Sequence, residues 1–158
     1  MLIVILTAAE VSITVYSAFE IAKGAKFHQL NFLHLKYTHQ LTKSVKKIEN
    51  DHPIDINTIE SDILLIRQQP IECIEEINPL NYAVMKFINT EQTLTICEKD
   101  IEIADKTLLS VTQYEKGELS RADFLLNLNV ALVSFNKHSE MFEEPIRKTV
   151  SFILMTLI

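Results

Sequence analysis

The sequence predicts an all-α protein: an up-down-up-down four-helix bundle whose first and last helices continue into membrane spans. Three observations predict it. Apolar residues recur at alternating steps of three and four through four separate stretches, the period of helices that keep one seam against their partners. Glycine (2) and proline (4) are scarce among 158 residues and tryptophan is absent, a composition foreign to turn-rich β folds. The chain also begins and ends in long apolar runs. The predicted organisation is a first membrane helix over 1–22, a helical bundle over 23–148, and the start of a second membrane helix over 149–158.

Leu2 to Ala22 contains no lysine or arginine and is interrupted only by Glu10 and Glu20, long enough to cross about 30 Å of hydrocarbon. Glu10 lies mid-span, where an isolated carboxylate costs about 2 to 3 kcal/mol, so it is expected to be protonated, paired or displaced by tilt. No basic n-region precedes the run and helical periodicity continues to Phe27, which favours a retained anchor over a cleaved signal peptide. Phe27, Leu30, His34, Tyr37, Leu41, Ser44 and Ile48 extend the first helix to about Glu49, with Gly24 as a candidate kink.

Asn50, Asp51, His52 and Pro53 form a turn that no helix can cross. The second helix has a candidate capping box at Asn57 and Glu60 and a seam through Ile56, Ile59, Ile63, Ile66, Cys73 or Ile74, and Ile77, with a kink expected at Pro70. The third is the longest. Asn78-Pro79 supplies its start, Gly117 its left-handed end, and Leu80, Ala83, Phe87, Thr90, Leu94, Cys97, Ile101, Ala104, Leu108 and Val111 its seam. The fourth begins at Ser120, with Asp123 three residues on, and its seam is Phe124, Leu128, Ala131, Phe135, His138 and Phe142. It passes Pro145 into Val150–Ile158, which reaches only about 14 Å, so the sequence is expected to be a fragment of a longer protein or a truncated reading frame.

The formal charge of −6, with lysines interleaved with carboxylates, excludes a nucleic-acid footprint. No nucleophile, base and orienter grouping and no phosphate loop is present, so no catalytic residue, cofactor or metal is assigned. Cys73 and Cys97 lie on or beside seams and read as buried apolar thiols, with a bridge as the alternative. The residues best placed to meet a ligand are Arg67, the lone arginine in the middle of a helix pair, and His34 and His138, which occupy seam positions. Ordinary core histidines and a solvated arginine are the competing readings. If helices one and four are neighbours, the two imidazoles share a level, and protonating them below pH of about 6.5 is expected to destabilise the fold. Glu72, Glu75 and Glu76 form an acidic cluster that reads as a solvated face. Leu33, Leu35, Leu125, Leu126, Val130, Leu132 and Val133 lie off their seams, a second apolar face that predicts a homodimer through helices one and four.

Span, bundle and second span in this order resemble the extracytoplasmic four-helix-bundle sensor modules of bacterial transmembrane receptors: chemoreceptors, sensor histidine kinases and membrane diguanylate cyclases. The resemblance is architectural and covers the whole chain. It implies a periplasmic bundle on the inner membrane, embedded in lipid, dimeric, binding a small molecule or sensing a condition, and passing a conformational signal through its last helix. The alternative function is a membrane-anchored helical structural or partner-binding protein without signalling.

Overall fold

The computed structural model describes residues 29–77 and 90–156, the stretch 139–156 by its backbone path alone. The chain folds into helices α1 (29–49), α2 (Ile56–Ile77), α3 (Thr90–Glu115) and α4 (Arg121–Thr156). Consecutive helices pack as neighbours, α2 with α3 and α3 with α4, and α4 returns beside α1, an arrangement consistent with an up-down four-helix bundle. Leu2–Ala22, Gly24, His28, the Asn78-Pro79 start and Leu80 to Asn89 lie outside the described residues. No helix among the described residues is long and apolar enough to cross a membrane.

The helix ends are set by local chemistry. At the end of α1, His52 N–H donates to the Lys47 carbonyl and Asp51 N–H to that of Ile48, each at 3.0 Å. At the end of α3, Glu118 N–H donates to Gln113 at 2.9 Å and Gly117 N–H to Tyr114 at 3.0 Å. Both are the paired bonds of a Schellman motif, which needs its pivot residue in the left-handed region. Gly117 (φ 72°) adopts it freely, whereas Asp51 (φ 61°) adopts it against its Cβ. Asp51→Gly is therefore expected to stabilise the protein and Gly117→Ala to destabilise it, each by about 1 kcal/mol in thermal or denaturant unfolding. Nothing lies within 4 Å of a Cβ built on Gly117, so its cost is conformational alone.

The cap of α2 differs from expectation. Asp55 rather than Asn57 takes the position, its carboxylate accepting from Thr58 N–H (3.1 Å) and Thr58 Oγ1 (2.7 Å). These bonds hold the Asp55 carboxyl below its usual range. The helix then runs through Pro70, which is buried. The start of α4 is as expected: Asp123 N–H donates to Ser120 Oγ at 3.1 Å, and Ser120 Oγ–H returns to the Asp123 carboxylate at 2.5 Å.

The core has two parts. The larger occupies the end of the bundle that carries the turns, around Leu41, Ile59, Ile63, Ala104, Phe124 and Leu128, and Tyr114 stacks on Phe124 with centroids 4.6 Å apart. The smaller lies toward the opposite end, where Leu30, Cys73 and Cys97 meet. Both cysteines are buried free thiols.

Seams are observed with one systematic shift. Phe124, Leu128, Ala131 and Phe135 of α4 are buried as expected, and so are Ile59, Ile63, Ile66 and Cys73 of α2. On α3, Cys97, Ala104 and Val111 are buried, but the second column is Thr93, Asp100 and Thr107 rather than Leu94, Ile101 and Leu108, which are half-buried at the flank. On α1, Thr38 and Val45 take the places expected for Tyr37 and Ser44. A helix flank removes much of an apolar side chain from water, while a threonine survives at the core by bonding its own helix, as Thr107 Oγ1 does to the Ile103 carbonyl at 2.7 Å.

Candidate functional site

Between the two apolar clusters lies a polar level drawn from three helices. His34 of α1 is buried. Its Nε2–H donates to the Phe135 carbonyl of α4 at 3.4 Å, and its ring meets the Phe135 ring edge-on, centroids 5.9 Å apart at 82°. One turn along α4, His138 Nδ1 lies 2.5 Å from Oδ1 of Asp100 on α3. The Asp100 side chain has 0% exposure and that of His138 13%. His138 thus stands between the other two: bonded to Asp100 on one side, and close enough to His34 for its charge to be felt there.

Burial governs the electrostatics of this level. Desolvation lowers the His34 pKa from 6.5 to about 4; the bond to Phe135 opposes the shift and the charge of His138 adds to it. Desolvation raises the Asp100 pKa from 3.8 to about 6, with the bond to His138 and its charge pulling the other way. Among the described residues the remaining Asp100 oxygen, Oδ2, has no hydrogen-bond partner, nor do Asn31 Oδ1 and Thr38 Oγ1, a turn of α1 to either side of His34. A buried polar group left unpaired costs about 1 to 3 kcal/mol. The level therefore weakens the bundle that contains it.

His34 bonds to Phe135, three residues before His138 on α4, because α1 and α4 are antiparallel neighbours. The carboxylate between α3 and α4 was not foreseen. Asp100 is the group that sequence reasoning missed, and the signal for it was the column Thr93, Asp100, Thr107, polar residues seven apart beside the apolar column Cys97, Ala104, Val111.

Arg67 does not join this level. It lies partly exposed on the outer face between α2 and α3, its Nε 2.6 Å from the Asp105 carboxylate. Glu75 is exposed, and Glu72 accepts from Gln68 at 3.5 Å. Among the described residues no group of three or more His, Cys, Asp or Glu side chains is placed to hold a metal ion. A shallow groove between α3 and α4 is lined by Lys106, Thr107, Ser110, Asn127, Val130 and Ser134, with Asn127 Nδ2 donating to Ser110 Oγ at 3.1 Å. Comparison with models of protein families, with curated proteins and with solved structures gives no match to the chain.

Proposed function

We propose that this chain is the sensory bundle of a bacterial membrane receptor, facing the periplasm from the inner membrane, with α4 as the element that carries the conformational signal. The observation that supports this most is the adjacency of α1 and α4. His34 meets Phe135, the Glu49 carboxylate accepts from Asn129 Nδ2 at 3.2 Å, and Arg121 donates to the Ile48 carbonyl at 2.9 Å, so the two helices run side by side from His34 to Glu49. The described start of α1 and the C-terminal part of α4 therefore lie toward the same end of the bundle, which supports reading the apolar sequence before α1 and the one that closes α4 as two spans of one bilayer.

A second copy is the proposed partner. Phe32 (62% exposed), Leu35, Leu126, Val130 and Val133 (69% exposed) form an apolar surface on α1 and α4. The patch itself carries no carboxylate, since none occurs among residues 29–48 or 124–138. A small molecule remains the proposed stimulus in kind, but Arg67, spent on Asp105, is a poor candidate to receive it.

Lys106 tests the topology. Its side chain is exposed on α3, its ion pair to Glu102 at 2.6 Å is a surface one, and Cys73 and Cys97 are buried, so Lys106→Cys adds one accessible thiol to an unperturbed fold. A membrane-impermeant maleimide is expected to label this variant in intact spheroplasts. Labelling only after lysis refutes the periplasmic bundle.

A further inference from the structure

We propose that the buried carboxyl–imidazole pair Asp100–His138 is a proton-binding site, in which one proton taken from solvent fastens α4 to α3. The inference stands on the packing of these two helices and is independent of the membrane reading.

The pair lies at the junction of two otherwise separate apolar clusters, and its members come from different helices. With a neutral imidazole donating from Nδ1, the pair carries the full charge of the carboxylate on a side chain with 0% exposure. Adding one proton makes the pair neutral. The proton forms an N–H bond at the imidazole or an O–H bond at the carboxyl, the 2.5 Å contact is satisfied either way, and nothing is oxidised or reduced. The route is through His138, whose side chain keeps 13% exposure where Asp100 keeps none.

The surroundings favour that neutral state. From α1 the titratable neighbour is His34, which burial keeps an uncharged imidazole down to about pH 4. On α2, Gln69 and Cys73 are buried; both cysteines are free thiols, and Cys73 beside it, together with burial, pushes the Cys97 thiol up. On α3 itself Glu98 and Lys99 are exposed. Among the described residues His138 is the one basic side chain bonded to Asp100, so within this set a proton is what neutralises the pair. His34 and Asp100 then act in opposite directions. The folded state holds the Asp100 proton up to about pH 6 while the unfolded chain releases it near 3.8, so this contribution is complete below 3.8 and is lost as pH rises through 6. The unfolded chain protonates His34 near 6.5 while the folded state resists to about 4, so that contribution is complete above 6.5 and is lost as pH falls through 4.

The full chain in detergent micelles tests this by thermal unfolding from pH 4 to 7.5 and by infrared detection of the buried carboxylic acid. Wild type is expected to vary little, His34→Gln to gain stability on acidification, and Asp100→Asn to lose it. The carboxylic-acid band is expected to titrate near pH 6, to move to higher pH in His138→Gln, and to vanish in Asp100→Asn. It should survive in Asp62→Asn, the control for the other carboxyl raised by burial. A band unaffected by Asp100→Asn, or parallel stability profiles for the two single variants, overturns the site. The infrared readout keeps the test open should a variant fold poorly, because wild type and the Asp62 control alone place the midpoint.

Discussion

Phe135→Ala is expected to cost about 3 to 5 kcal/mol of unfolding free energy, the loss of a large buried aromatic side chain plus the cavity it leaves. Phe135 has 0% exposure, packs into the main apolar cluster, and presents its ring to the edge-on contact with His34. The variant should do more than loosen the core. A cavity beside an imidazole and unpaired polar atoms admits water, as an apolar cavity does not, and hydrated His34 should titrate closer to its ordinary 6.5 than to about 4. Denaturant unfolding measures the first effect and NMR titration of the His34 ring the second. A loss below about 1 kcal/mol would contradict the register between α1 and α4; Lys99→Ala, on the exposed face of α3, should stay within about 0.5 kcal/mol of wild type.

His138→Ala should be as costly at neutral pH for a different reason. Removing one member of a buried charged pair strands the other, at a cost of about 3 to 5 kcal/mol, and Asp100 would be left in the core with neither oxygen bonded to a described side chain. The penalty should shrink with acid. Losing the imidazole that lowers the Asp100 pKa sends it above about 6, so by pH 5 the stranded carboxyl is protonated in the folded state and uncharged. Stability of the variant relative to wild type, followed from pH 7.5 to pH 5, should therefore improve as pH falls. A pH-independent difference would mean that His138 contributes packing alone.

The polar level also explains where sequence reasoning succeeds on this chain and where it slips. On α4 the core positions are Phe124, Leu128, Ala131 and Phe135, so following apolar residues follows the buried face. On α3 the same rule selects Leu94, Ile101 and Leu108 and passes over Thr93, Asp100 and Thr107, one residue earlier in each turn. Periodicity is blind to a buried polar group whose partner is on another helix, because the bond that makes burial tolerable is not local. Asp55 taking the cap ahead of Asn57 is a smaller case: both residue types cap helices, and the choice depends on which turn the chain enters first.

What depends on neighbours a few residues away is legible in the order of residues. That covers the helical class, the ends at Gly117 and Ser120, the level of the histidines along their own helices, and the apolar surplus on α1 and α4. Which side chains share a level follows from how the helices pack. The return of α4 beside α1 brings His34 to Phe135, residues 101 apart in the chain, and the packing of α3 on α4 brings Asp100 to His138, 38 apart. In a bundle a rotation of about 100° separates one residue from the next, so a single-position shift in a helix's buried column moves a carboxylate from solvent to core. Partner helices, not the local pattern, set that rotation.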